Sequence, residues 1–350
     1  LECVIGNAKP QLPESQFIKR VYTENLLWHK EALLNKIIAE HLPPKYKYIF
    51  WVDADVIFQN PNWIVEGVEE LKAHNIIQPF EYCIHLEKNQ TEPSFNVEEH
   101  KKRIYDESYS NRRLWRSFSA NFKTARLNAK QQENYNIHGH VGFAWGARRE
   151  ILQNMPLYDR ALIGGADHII AHAAAGQIPH SCITKSFTDN LDEVLTWSKK
   201  FYKLVQGKIS FVEGDLYHIW HGDIDKRQYL KRIQDFTAKT KQIVHRDENG
   251  LYVTHSGDDE YMKKYFKHRE VSSDNDYLTS INAGYLGSSG NTSSDSFDEA
   301  ILANEVLNDR NETNLSPSEF GGGSSGGGGA GGSWDDRGSS SYVAQSDNFS

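Results

Sequence analysis

The chain has 350 residues, 38% of them hydrophobic and 25% charged, with 39 Lys and Arg against 47 Asp and Glu for a formal net charge of −8. A mean hydropathy of −0.64 excludes a membrane-embedded protein, and the acidic balance argues against a nonspecific nucleic-acid or anionic-membrane binder. Cys3, Cys83 and Cys182 are too few and too scattered for a disulfide scaffold or a cysteine-based zinc site, so any metal is expected on histidine and carboxylate.

Apolar segments alternate with turn signals up to about residue 270. Cys3–Ile5 reads as a short strand. Leu26–Leu42 places Leu26, Leu27, Leu33, Leu34, Ile37, Ile38 and Leu42 at helical spacing, and Pro43-Pro44 ends it. Tyr48–Val52 is a continuous apolar run of the kind buried on both faces of a sheet. Ile64–Ala73 follows as a second amphipathic helix and Ile76–Pro79 as a short strand. Residues 85–136 are polar and predict helices and loops. Val141–Trp145 predicts a strand running into a helix at Arg148–Asn154. Ala166–Ala175 is a small-residue helix ended by Gly176, Leu216–Trp220 an apolar strand, and Tyr229–Ile243 a charged helix. Such alternation argues for an α/β domain over residues 1–270, with helices on both faces of the sheet.

Residues 271–350 change to Ser, Asn, Asp and Gly, ending in the run from Gly321 to Gly332. This composition buries too little apolar surface to offset the entropy of ordering it, which predicts a disordered tail with a short helix near Asp298–Leu307. Trp334 within it reads as solvated. Asn89, Asn291 and Asn311 begin Asn-x-Ser/Thr triplets that matter only in a secreted chain. The compartment is left open, with the cytoplasm favoured.

Three short segments hold the residue types that do chemistry. Asp53-Ala54-Asp55 follows the apolar strand, and ligands of open α/β sheets gather beyond such strand ends. Two carboxylates one residue apart can converge on a hard divalent cation that bridges to diphosphate oxygens. Equally, one can shape the turn while the other is solvated. Gly164-Gly165-Ala166-Asp167-His168 opens the small-residue helix; Asp167 is either a helix-end cap or an acceptor for a hydroxyl proton. In Tyr217-His218-Ile219-Trp220-His221-Gly222, strict alternation puts His218 and His221 on opposite faces. A bend at Gly222 would bring both imidazoles to one ion. Carboxylate mixed with imidazole favours Mn²⁺ over Mg²⁺. Lys226, Arg227, Lys231 and Arg232 read as a solvated helix face or a phosphate contact, and Arg112, Arg113 and Trp115 as acceptor contacts or a solvated helix.

In that order, an apolar strand ending in Asp-x-Asp, a Gly-aromatic strand with its helix, Gly-Gly-x-Asp and His-x-x-His resemble the GT-A glycosyltransferases. The nearest pattern is that of the β-1,4-galactosyltransferase family and related bacterial sugar transferases, over roughly residues 20–235. Gly164–His168 resembles that family's Gly-Gly-Glu-Asp-Asp segment, with Ala166 in place of Glu. His218-Ile-Trp-His221 is similar to its Met-x-x-His, and Asp55 matches its metal-binding aspartate. The family's first strand and base-binding loop have no counterpart before Leu1. The resemblance implies a GT-A, Rossmann-like, mixed but mostly parallel sheet flanked by helices. It further implies metal-dependent transfer of a sugar from a nucleotide sugar, UDP-linked, to an acceptor hydroxyl. Asp55, His218 and His221 would hold Mn²⁺ or Mg²⁺, Asp53 the ribose or the ion, and Asp167 would be the base of an inverting reaction. Gly165 and Trp145 would line the donor site, with Tyr217 and Trp220 as further stacking candidates. Neither nucleic acid nor a membrane span is expected. A haloacid-dehalogenase-like phosphatase also places Asp-x-Asp after an apolar strand, although Ile57 stands where it usually has Thr or Val. A non-catalytic carbohydrate-binding shell is the other alternative.

Overall fold

The computed structural model describes residues 1–106, 113–125, 137–187, 190–221, 245–253 and 262–264. The expected helices at Tyr229–Ile243 and Asp298–Leu307 and the 271–350 tail lie outside them. So do Arg112, Gly222, the basic run from Lys226 to Arg232, Asn291, Asn311 and Trp334.

The fold is mixed α/β, built on two four-stranded mixed sheets. In chain order the elements are β1 (Glu2–Ile5), β2 (Arg20–Thr23), α1 (Lys30–Glu40), β3 (Tyr48–Val52), β4 (Val56–Phe58), α2 (Trp63–Ala73), β5 (Ile76–Gln78) and β6 (Tyr82–His85). Next come α3 (Val97–Arg103), β7 (Leu114–Arg116), α4 (Phe118–Lys123), β8 (Ala144–Arg148), α5 (Arg149–Asn154), α6 (Ala166–Ala175) and α7 (Ser181–Ser186). The last are α8 (Leu191–Val205), β9 (Ile209–Phe211), β10 (Asp215–His218), β11 (His245–Arg246) and β12 (Tyr252–Val253). One sheet runs β3-β8-β5-β9 and the other β4-β10-β6-β7, while β1-β2 and β11-β12 form small pairs.

Three short turns step from the first sheet into the second: residues 53–55 between β3 and β4, 79–81 between β5 and β6, and 212–214 between β9 and β10. Asp53-Ala54-Asp55 is therefore a crossing point between sheets. In the two sheets only β5-β9 and β6-β10 are parallel; the β3-β8, β5-β8, β4-β10 and β6-β7 ladders are antiparallel. The expectation of a mostly parallel sheet is thus corrected. The short turns pass between the sheets, and the strands that pair within each sheet come from distant stretches of the chain, mostly running in opposite directions.

The apolar run Tyr48–Val52 is correspondingly an edge strand. Ile49 and Trp51 are buried, whereas Tyr48 and Phe50 are half-covered and Val52 is exposed. Phe50 gets its cover from α2, meeting Trp63 edge-on with ring centroids 5.6 Å apart. Among helices, α1 starts at Lys30, four residues later than the apolar spacing suggested. The buried Arg149 side chain caps its far end, with Nη1 and Nη2 donating to the carbonyls of Ile38, Leu42, Pro43 and Tyr46. Ile38 supplies a carbonyl left over by the helix end and the other three belong to the chain just beyond it, so these bonds tie down the helix that carries Lys30.

The main core surrounds α6, which is buried from Ala166 to Ala174. Its alanines let α8 lie close, and α8 turns Val194, Trp197, Phe201 and Val205 inward at helical spacing. Each such large apolar side chain contributes roughly 1.5–3 kcal/mol by leaving water. Within the polar stretch, β7 is a strand where only helices and loops were expected. No helix among the described residues is long and apolar enough to cross a membrane.

Candidate functional site

Strand register assembles the first group of side chains. β10 lies between β4 and β6, so His218 is opposite Val56 on one side and His85 on the other. Val56 directly follows Asp55, and the Ile219 amide donates to the Asp55 carbonyl at 2.8 Å. β10 ends at His218. Freed from alternation, the chain brings His221 back to the face of His218, with Nε2 atoms 3.1 Å apart. Asp55 Oδ2 lies 3.4 Å from His218 Nε2 and 3.0 Å from His221 Nε2.

Burial works against ionising Asp55, but the charge and hydrogen bonds of His218, with those of His221, hold its carboxyl well below the usual carboxylate range. Its second oxygen, Oδ1, is buried without a hydrogen-bond partner. A buried unpaired acceptor is costly, by about 1–3 kcal/mol, unless something positive satisfies it. Donors about 2.0–2.2 Å from one ion stand about 3.0–3.5 Å apart, the spacing of this triangle. The residues present therefore fit a divalent cation.

A second layer holds the imidazoles in place. His218 Nδ1 is 3.1 Å from His85 Nδ1, and Trp115 meets His85 edge-on at 4.8 Å. Phe143 packs 4.9 Å from the His218 ring and stacks on His140 at 4.2 Å. Its backbone has φ of 74°, a left-handed conformation uncommon for a bulky residue. In that position its carbonyl accepts the Asp53 amide at 2.8 Å. Phe143 thus joins the imidazole layer to the aspartate turn.

Asp53 does not join the triangle. Its Oδ1 lies 3.1 Å from Lys30 Nζ, and the same ammonium is 3.1 Å from Asp167 Oδ2. Among the described residues the grouping here that could hold a cation is Asp55, His218 and His221. Asp53, expected on the ribose or the ion, stands outside that grouping and is ion-paired to Lys30. Asp167 sits in the first turn of α6, after Gly165 at φ of 94°, a backbone position suited to glycine. The Asp167 side chain is only 2% exposed. Glu31 is buried beside this trio. Burial pushes its carboxyl up to about 8, with Lys30 opposing and Asp167 and Asp53 adding to the shift.

Other expected contacts fall elsewhere. Trp145 is 1% exposed, and its indole N–H donates to the Val141 carbonyl at 2.7 Å. It is a core residue, which removes it from the donor site. Gly165 is buried and shapes the entry to α6. Tyr217 and Trp220 are half-buried, and Lys88 Nζ lies 5.3 Å from the Trp220 ring centroid. Arg113 is ion-paired to Glu87.

The sequence reading missed Lys30, His85 and Phe143. Lys30 carried no signal, since its contact with Asp167 spans 137 residues of chain. His85, at the end of an apolar Tyr-Cys-Ile triplet, had one: a histidine closing a buried strand must find a polar partner. Comparison with protein-family models, with curated proteins and with solved structures finds no match to this chain.

Proposed function

We propose that this protein is a metal-dependent glycosyltransferase of GT-A type, moving a sugar from a nucleoside-diphosphate sugar, UDP-linked, to an acceptor hydroxyl. The observation that carries the reading is the convergence of Asp55 Oδ2 with the Nε2 atoms of His218 and His221, beside a second Asp55 oxygen, Oδ1, that is buried without a hydrogen-bond partner. Asp55, His218 and His221 would hold the cation, and two imidazoles with one carboxylate suit Mn²⁺ better than Mg²⁺. When bound, such an ion supplies positive charge that offsets the charge building on a leaving diphosphate.

In an inverting transfer the acceptor oxygen bonds to the anomeric carbon as the bond from that carbon to the diphosphate oxygen breaks. The bonding pair leaves with the diphosphate, and the hydroxyl proton passes to Asp167. Lys30 supports this role, because two carboxylates share one ammonium. When Asp167 takes a proton, Lys30 stays neutralised by Asp53. His85 and Phe143 hold His218 in orientation.

One observation favours a second reading, a carbohydrate-binding shell without turnover: Asp167 is buried and engaged by Lys30. The phosphatase reading is weaker, since it needs both carboxylates of the triplet on one phosphoryl group and they face different partners. The test is incubation with pooled nucleotide sugars with and without Mn²⁺. Mn²⁺-dependent release of a nucleoside diphosphate is expected. Binding without release would favour the shell, and inorganic phosphate from small phosphoesters would favour the phosphatase.

A further inference from the structure

A second cluster of ligand-type side chains lies around α6. His168 and His172 are four residues apart and share one face of that helix. His138 arrives from the loop before β8, and Cys182 from the first turn of α7. One donor atom from each of the four lies within 4.8 Å of the others. His138 Nε2 is 3.2 Å from His168 Nε2 and 3.7 Å from Cys182 Sγ.

Hydrogen bonds already sort the ring nitrogens. His138 Nδ1 lies 2.9 Å from the Gly139 carbonyl, and His172 Nδ1 lies 2.8 Å from Gln177 Oε1. Each Nδ1–H donates outward, which leaves each Nε2 with its lone pair facing the cluster. His172 Nε2 is buried there with no hydrogen-bond partner.

An unpartnered lone pair on His172 Nε2, in a group whose donor atoms lie within 4.8 Å of one another, is satisfied when a cation sits between them. We propose that His138, His168, His172 and Cys182 bind one Zn²⁺ as a closed structural site. With Zn–N of about 2.0–2.1 Å and Zn–S of about 2.3 Å, tetrahedral edges are about 3.3 Å between nitrogens and about 3.6 Å from nitrogen to sulfur. The two measured separations bracket those values. Three imidazoles and one thiolate fill all four positions. On binding, the Cys182 Sγ–H proton leaves to solvent as the Zn–S bond forms. Gln177 and the Gly139 carbonyl orient two of the rings, as outer partners of metal-bound histidine do. The site joins the 138 loop and α7 to the helix whose first turn carries Asp167, and it does not depend on the transferase reading. A further grouping, Cys83, His85 and His140, belongs to the layer behind Asp55, since His85 contacts His218.

The test uses the full chain carrying Asp55→Ala, which takes a ligand from the Asp55 cluster, and Cys83→Ala, which takes one from the Cys83, His85 and His140 grouping. About one equivalent of zinc per chain is expected by elemental analysis after chelator-free dialysis. The cobalt-substituted protein is expected to show the visible bands of a tetrahedral ion and a sulfur-to-cobalt charge-transfer band that Cys182→Ser abolishes. Gln177→Ala, which keeps all four ligands, is expected to weaken zinc binding about 10- to 100-fold. A chain that neither retains zinc nor takes it up on titration would overturn the proposal. So would a charge-transfer band that survives Cys182→Ser.

Discussion

Two clusters of imidazoles differ in what closes around them. Asp55, His218 and His221 meet at the seam between the sheets, with the Asp55 and His221 side chains 17% and 13% exposed. His138, His168 and His172 meet along a helix buried over nearly its whole length, with His172 0% exposed. Three donors beside solvent leave coordination positions for a substrate, whereas three buried imidazoles with the half-buried Cys182 thiol would fill a tetrahedral ion. Similar side chains are thus suited to chemistry in one place and to holding the fold in the other, and the difference lies in the count of donors and the access of water.

The sharpest way to break that contrast is to remove one donor from the open cluster. Asp55→Ala is expected to reduce Mn²⁺-dependent turnover and nucleoside-diphosphate binding to background, while zinc content and thermal stability stay near wild type. Loss of zinc along with turnover would show that the clusters are not independent. Next in size is Asp167→Asn, expected to lower turnover about 10²- to 10⁴-fold while nucleotide binding, measured calorimetrically, is kept. Unchanged turnover would remove Asp167 as the base.

Gly139→Ala probes the closed cluster alone. Gly139 has φ of 109°, and an added Cβ would come 2.7 Å from the Phe118 Cα. With backbone on the other side, the His138 loop must shift. A destabilisation of about 1–3 kcal/mol in denaturant titration is expected, with zinc loss and with Mn²⁺ binding retained.

The smallest effect concerns Glu31, buried beside Lys30, Asp53 and Asp167. Its carboxyl is raised from an ordinary 4.5 to about 8 by burial. Between those values the unfolded chain has released the proton and the folded chain has kept it, so stability falls as pH rises through this window and levels off above it. Glu31→Gln is expected to flatten that decline in thermal melts from pH 5 to 8. An unchanged slope would mean that the decline arises elsewhere.

Legibility in the sequence follows how local the cause is. The limits of α6 were plain because a run of small residues is bounded by glycines on both sides. The end of β3 was plain for a similar reason, an apolar run stopping at a carboxylate. Its neighbours were not, because an edge strand covered by α2 and a central strand have the same apolar composition. α8 carried an inward stripe at Val194, Trp197, Phe201 and Val205 that the reading passed over. Asp55, His218 and His221 were proposed together on motif order, and strand register brings them together. Asp53 was grouped with them by adjacency, and the distant Lys30 takes it elsewhere. Trp145 shows the limit of residue type, since an indole suits a sugar face and a core equally well. The expectation that any metal would use histidine and carboxylate weighed the cysteines as a set, and gave no sign that Cys182 lies among three imidazoles.

The most direct test of the account is a crystal of this protein soaked with Mn²⁺ and uridine diphosphate, read by anomalous scattering at the manganese edge. The account predicts one peak about 2.0–2.2 Å from an Asp55 carboxylate oxygen and from the Nε2 atoms of His218 and His221, with diphosphate oxygens beside it. Manganese bound elsewhere, with Asp55, His218 and His221 still in hydrogen-bond contact and no ion between them, would contradict it.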